Sequence, residues 1–486
     1  MIKVGITKFK DDRWMSVSKT YDFYRRALAG SFDLVEIAQE DIVSASHHVD
    51  AIVNFKGSRA FLEREEIVCP VLYGMHGGLV VDHSFVSANL PKLRTCDALL
   101  VNCTSDNAIV QSWFSGQLPK IIQLPLPVNT ASELQNLQGG CRKMLGIEEA
   151  DVVLGFVARL LPAKNLHGFL RMLAQVQRAL YPARVRALIV GSYWVDYPIL
   201  GYCTIDYRHY INQLIDDLGV SDSLIYFPAS LTSDDLRIVY AAMDVLLHPT
   251  FGIDENFGYV AVEAMGQGVP VVAAAYGGLK DTIKVGVTGH LMATWATSGG
   301  IRMDVKAGVA YTTELLAQPA RRAVMAEAAW LHTGQLFSET SCAQTLVRAV
   351  REAISTATGC GPVRLHRKMP DEPFYPRSSI LPDIEKGWFN FDHAVAHYVS
   401  AQLPQLCHGD ILTLAAPVSW RDQIAHLDEP AWPISEAMDD KIEAFLAMLG
   451  HSSCEVGGAD WPFGEIAQTL VTKGWLSVHR PKGMAF

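Results

Sequence analysis

The chain has 486 residues, 49 % hydrophobic and 19 % charged, with a formal net charge of −10. One hydrophobic core stops growing near ~250–300 residues, so two or three domains are expected, and the apolar content excludes global disorder. The acidic balance gives no support to a nucleic-acid partner, whose usual footprint is a basic face.

In chain order, strand-like runs fall at Ile2–Thr7, Leu34–Ile37, Ala51–Asn54, Val71–Tyr73, Ala98–Asn102 and Lys120–Leu124. The spacing leaves room for a helix between most neighbours, which predicts a parallel sheet with crossovers. The start, Met1-Ile2-Lys3-Val4, enters a strand directly and lacks the features of a signal peptide. Pro125-Leu126-Pro127-Val128-Asn129 then interrupts the rhythm as an interdomain connection. A second series follows at Val152–Val157, Arg186–Val190, Leu224–Phe227, Val245–His248 and Val269–Ala273, with helical patterns at Leu166–Tyr181 and Asp206–Leu218. Two such units face each other across a cleft, where ligands sit at the carboxyl ends of strands. Ser338–Ser355 has helical spacing; Gly359–Pro362 and the proline-rich stretch Pro370–Pro382 read as a linker. Beyond it, Asp439–Leu449 and Glu465–Thr472 predict helices and Gly474–Val478 a short strand, giving a small α-rich or winged-helix-like appendage without a chemical motif.

Nine scattered cysteines lack metal-ligand spacing and read as buried reduced thiols of a cytosolic protein. No apolar run reaches the ~18 residues needed to span a bilayer, which leaves only peripheral membrane contact open.

The chemistry concentrates in the segment from His248 to Val272. A strand ends at His248, a glycine-bearing loop follows, and a helix is expected from about Asn256. That arrangement would aim the backbone N–H groups of Asn256, Phe257 and Gly258 at a diphosphate, with no metal required. Glu255 at the loop tip would meet a sugar, and Glu263, about two turns into the helix and able to point to the same side, ribose hydroxyls. Upstream, Gly155-Phe156-Val157-Ala158-Arg159 and Lys164 deliver two cations from a strand to a loop, where they can neutralise a diphosphate leaving group. By itself an Arg-x4-Lys pair also reads as solvated surface charge.

These residues resemble a known family. Glu255-Asn256-Phe257-Gly258 and Glu263-Ala264-Met265 together are similar to the E-x7-E signature of the GT4 family of retaining glycosyltransferases, which have the GT-B fold. Arg159 and Lys164 resemble the family's G-R-L-x-x-x-K element, and Leu188–Gly191, Tyr240–Val245, Gly277-Gly278 and Gly286–Gly289 match its scaffold turns.

The resemblance implies an α/β GT-B fold of two Rossmann-like domains. Residues 1–130 would form the acceptor side, with 335–356 packing back on it; 131–334 would bind the nucleotide sugar, and 357–486 would be linker and extension. It further implies catalytic roles for His76, Arg159, Lys164 and Glu255, and donor binding by Asn256, Phe257, Gly258, Glu263, Phe227 and Ser230. His76, in Tyr73-Gly74-Met75-His76-Gly77-Gly78, would lie near the donor sugar's hydroxyls, although a strand-capping role is the bland alternative. The expected co-substrate is a UDP- or GDP-linked sugar, with no cofactor or metal; the acceptor is a hydroxyl of a glycan, lipid or small natural product. The location expected is cytoplasmic. One departure stands out: Gly5–Trp14 lacks the family's paired glycines, which leaves Lys10, Arg13 and Trp14 as either acceptor contacts or ordinary loop residues. Two competing readings are a GT-B sugar-nucleotide epimerase and a non-catalytic sugar-nucleotide- or partner-binding protein.

Overall fold

The structure is a computed structural model that describes residues 1–10, 15–133, 137–193, 204–227, 231–250, 252–368, 391–450, 453–458 and 461–481. Among these, two six-stranded parallel sheets form the cores of two lobes. The first runs Asp33–Ile37, Lys3–Thr7, Ala51–Asn54, Val71–Gly74, Ala98–Val101, Lys120–Gln123. Its inner strands Ala51–Asn54, Val71–Gly74 and Ala98–Val101 are buried at every residue. Helices cover both faces of such a sheet, so the strands read as continuous apolar runs, not as alternations.

The second sheet runs Leu224–Phe227, Val185–Val190, Val152–Val157, Val245–His248, Val271–Ala274, Gly289–Met292. Strand order reverses between Val152–Val157 and Val245–His248, and this switch point opens a crevice at their carboxyl ends. The loops bearing Arg159 and Glu255 leave from those two ends. Helix Leu166–Leu180 follows at once, with Leu166, Phe169, Leu170, Leu173 and Val176 buried on one face. Its N-cap, Asn165, sits at φ 62° and accepts from the Gly168 N–H at 2.9 Å. A Cβ on Gly168 would lie 2.3 Å from Asn165 Oδ1, so only glycine permits this cap.

Helix Glu339–Ser355 leaves the second lobe and returns to the first. Its Cys342, Leu346, Ala349, Val350 and Ala353 share a core with Tyr24 and Leu28 of helix Met15–Ala29. The chain after it departs from the sequence expectation. Gly359–Pro362 is a clasp, not a free linker: Cys360 forms a disulfide with Cys96, Thr95 N–H donates to Gly361 O, and Arg364–Arg367 pairs antiparallel with Phe114–Gln117. The expectation that all cysteines are reduced therefore fails for Cys96 and Cys360, which a sequence separation of 264 hid and the fold brings to a Cα–Cα distance of 5.5 Å. Pro370–Pro382 lies outside the described residues.

The extension's own core gathers Leu412, Phe445, Leu446, Leu470, Trp475 and Val478 around Trp295 of the second lobe. Helices Asp440–Leu449 and Gly464–Lys473 are where the spacing predicts them. They pack with two three-stranded sheets, so this part is α+β and not α-rich. Its strands, four residues or shorter, are too brief to show an alternation. No helix among the described residues is long and apolar enough to cross a membrane.

One buried charge pair secures the first lobe. Arg64 donates to both Asp97 oxygens at 2.6 and 2.7 Å, and Asp97 also accepts from the Val71 and Arg94 N–H groups. Both side chains are fully buried. Removing one partner strands the other charge, so Asp97→Ala should cost about 3–5 kcal/mol, read from chemical denaturation.

Candidate functional site

At the switch point, Lys164 ends a short turn, Pro162–Lys164, that Leu160 enters from the strand Val152–Val157. Asn165 fixes that turn to the opposite loop by donating from Nδ2 to Pro249 O at 2.8 Å. Lys164 Nζ meets Glu255 Oε2 at 2.8 Å and Asp254 Oδ1 at 3.6 Å, while Arg159 Nη2 meets Asp254 Oδ2 at 3.5 Å. His248 Nε2 stands 3.6 Å from the same Glu255 oxygen. A Cβ on Gly252 would come within 2.8 Å of Lys164 Nζ, so the glycine leaves room for the ammonium.

Two cations thus share two carboxylates in a crevice where the Lys164 and Glu255 side chains are 10 % and 13 % exposed. Burial pulls the Lys164 pKa down, but Asp254 and Glu255 outweigh it and raise it above the usual lysine value. For Glu255, burial pushes the pKa up, yet the Lys164 ammonium and His248 hold the carboxyl well below the ordinary range. Both groups are therefore charged near neutrality. Arg159 and Lys164 come together as the sequence suggested, facing the loop that carries Glu255.

His248 and Asp254 were not singled out as site residues. His248 carried a readable signal, since it ends a strand at the switch point. Asp254 gave none: only the fold sets it between two cations.

The helix bearing Glu263 begins later than expected, at Tyr259, with Gly258 at φ 86° as N-cap. This corrects the role of one backbone donor. Asn256 N–H is spent on Asp254 O at 2.9 Å, in a turn preceding the helix. The Asn256 side chain instead reaches the first lobe, donating to Met75 O at 3.3 Å, His76 O at 3.3 Å and Asn102 Oδ1 at 3.2 Å. The Phe257 ring is buried against Tyr259 and Phe337, so it serves packing. Phe227 ends its strand with its carbonyl accepting from Gly191 N–H. Ser230, Arg13 and Trp14 lie outside the described residues; Lys10 lies at the end of the described first-strand loop.

Glu263 does not join Glu255 at the switch point, contrary to the expectation that both carboxylates point to the same side, because its partners lie elsewhere. Its Oε2 accepts from the Tyr240 hydroxyl at 3.2 Å and its Oε1 meets Lys19 Nζ at 3.4 Å. These residues, with Tyr259, Arg237 and Gln267, line a pocket of about 660 Å³ between the lobes. A further interlobe hydrogen bond joins the Thr20 and Tyr259 hydroxyls at 2.7 Å.

His76 stacks on Phe55 at 4.6 Å, with Tyr24 edge-on at 5.1 Å, and its Nδ1 lies 3.4 Å from Asn102 Oδ1. Burial lowers its pKa to about 4, so the imidazole is neutral at physiological pH. Among the described residues, no group of His, Cys, Asp and Glu has the geometry to hold a metal ion.

Two facing Rossmann-like lobes with a charged switch-point crevice define the GT-B class. Residues 141–329 match the family model described as glycosyl transferases group 1. Curated relatives include the D-inositol 3-phosphate glycosyltransferases of Segniliparus rotundus, 30 % identical over 53 % of each chain, and of Mycobacterium marinum, 28 % identical over 62 % of each. The chain spans about half the length of the curated relatives it matches. Among solved structures, Anabaena Alr3699/HepE with UDP and glucose aligns at TM-score 0.53 and 19 % identity, over 72 % of this chain and all of that one. Sucrose-phosphate synthase from Thermosynechococcus elongatus aligns at TM-score 0.56 and 17 % identity, over 73 % of this chain and all of that one. These likenesses bear on the fold. The resemblance seen in the sequence is borne out over residues 141–329, which are similar to group 1 glycosyl transferases, and by the GT-B likeness of the fold.

The ion pair has a pH signature. A carboxyl held low in the folded state adds stability in full above its unfolded value of ~4.3, and loses it as pH falls below that value. Glu255→Gln should therefore lower the urea midpoint at pH 7, and the gap should begin to narrow by pH 3 without closing, because the folded carboxyl is held lower still. An equal gap at both values would contradict a depressed Glu255.

Proposed function

We propose that the chain is a retaining glycosyltransferase that moves a sugar from a UDP- or GDP-linked donor to a hydroxyl-bearing acceptor, without a metal or cofactor. The observation that carries this reading is the convergence of Arg159, Lys164 and Glu255 at the switch point. A diphosphate entering there exchanges its oxygens for the carboxylates on the two cations. As the bond to the sugar breaks, negative charge grows on the outer phosphate, and both cations stabilise that charge more in the transition state than before it. Displaced from Lys164, Glu255 is free to accept hydrogen bonds from the sugar. Glu263, in the pocket it shares with Tyr240 and Lys19, carries the carboxylate expected for the ribose hydroxyls. The neutral His76 can share hydrogen bonds with the sugar without adding positive charge.

Support comes from the relatives, named as glycosyltransferases, and from the neighbour that holds UDP and glucose. Retention rests on the GT4 resemblance: the leaving phosphate takes the acceptor's proton as attack occurs from the same face. The acceptor is a glycan, lipid or small natural product, and the divergent first lobe makes it a specialised one. This reading places the protein in the cytoplasm, with peripheral membrane contact open. An epimerase would need further carboxylates for acid–base work at the sugar, and among the described residues none beside Asp254 and Glu255 pairs with the switch-point cations.

Release of nucleoside diphosphate from a panel of UDP- and GDP-sugars, with candidate acceptors, tests the proposal. Activity should survive EDTA, and the product's anomeric configuration should match the donor's by NMR. Lys164→Ala should lose about 2–4 kcal/mol of transition-state stabilisation, on the order of 10²-fold in kcat. A fully active Lys164→Ala would remove the phosphate clamp from the mechanism.

A further inference from the structure

Beyond the stretch matching the family model, the extension sends one segment back between the lobes. Helix Phe391–Tyr398 packs on the first-lobe helices Leu79–Asn89 and Thr104–Trp113. Tyr398 is fully buried, and its hydroxyl donates to Asp106 Oδ1 at 2.6 Å. The same Asp106 oxygen accepts from the Leu79 N–H at 2.7 Å, at the start of the helix that follows His76-Gly77-Gly78. On the other side, the Tyr398 carbonyl accepts from the Gly277 N–H at 2.9 Å, and the Gly278 N–H donates to Glu255 O at 3.1 Å.

The fit is close on both flanks. A Cβ on Gly78 would lie 2.6 Å from the Tyr398 hydroxyl; one on Gly277 would lie 1.9 Å from Glu255 O and 2.9 Å from Tyr398 Cδ1. The neighbouring residues hold the segment to the second lobe. Lys280 Nζ donates to His397 O at 2.8 Å and Val399 O at 3.0 Å, and Ser400 Oγ accepts from the Thr294 N–H at 2.9 Å.

We propose that Tyr398 is a positioning residue that ties the His76 loop of one lobe to the Glu255 loop of the other, setting their separation across the cleft. The inference rests on the transferase reading for its consequence, but not for its geometry. Tyr398 reaches neither Lys164 nor Arg159 directly; it acts through Asp106 and Gly277. A fixed separation keeps the reacting groups near their productive spacing, where small displacements are costly. Nucleotide affinity, set by the second lobe, should change little.

Hydrogen exchange on the 486-residue chain reads the geometry without needing turnover. Tyr398→Phe removes the hydroxyl and keeps the ring; Lys280→Met releases the segment from the second lobe independently. Both should speed exchange in peptides covering residues 76–80 and 277–279, leaving the strand Val152–Val157 as slow as in the unmodified chain. With a donor that turns over, Tyr398→Phe should lower kcat about tenfold while nucleoside-diphosphate affinity stays within about twofold. Unchanged exchange in both variants, or a rise spread equally into Val152–Val157, overturns the proposal. A chain inactive on every donor would count against the transferase reading alone, because the exchange result stands without it.

Discussion

A lysine ammonium buried in a protein is costly unless a carboxylate accompanies it, and here Lys164 and Glu255 meet that condition across 91 positions of sequence. The pair can form only if the strands Val152–Val157 and Val245–His248 are neighbours in the sheet, because each residue hangs on the loop leaving one of them. The switch-point topology and the site are thus a single constraint. Asn165 reinforces it twice, capping the helix behind Lys164 and donating to the loop that carries Glu255.

The charge balance of this crevice also shapes its chemistry. Arg159 and Lys164 hold Asp254 and Glu255 in ion pairs of 3.5 and 2.8 Å at the switch point. The two cations are consequently fixed in place by their carboxylate partners. Glycine at 252 belongs to the same design, since any side chain there would crowd the ammonium.

Contacts between the lobes are polar and specific. Asn256 reaches Met75, His76 and Asn102, Thr104 donates to Asp281, and Thr20 meets Tyr259. The extension adds to them from outside the family lobe. It is fastened to the first lobe by the Cys96–Cys360 bond and the Arg364–Arg367 strand. It is fastened to the second by the buried pair His167–Glu429, by Arg171–Asp428 and by the Trp295 core. The extension is thereby packed against both lobes.

The two sheets were legible in the sequence because buried parallel strands are short apolar runs, and runs separated by helical spacing leave few other architectures. The convergence of Arg159, Lys164 and Glu255 was legible because each sits in a local pattern beside a strand end, whereas the direction of Glu263 was not. Local pattern could not say where the helix after Glu255 begins, so it misassigned the Asn256 amide, which a turn consumes. Nor could it pair Cys96 with Cys360, set Asp254 between two cations, or bring Tyr398 to Asp106 and Gly277. Those contacts join residues far apart in the chain, or depend on loop direction, and carry no periodic signal. Sequence by itself determined the elements and the chemical groups available; tertiary structure decided which of them meet, because burial and charge compensation are settled only once the chain has closed on itself.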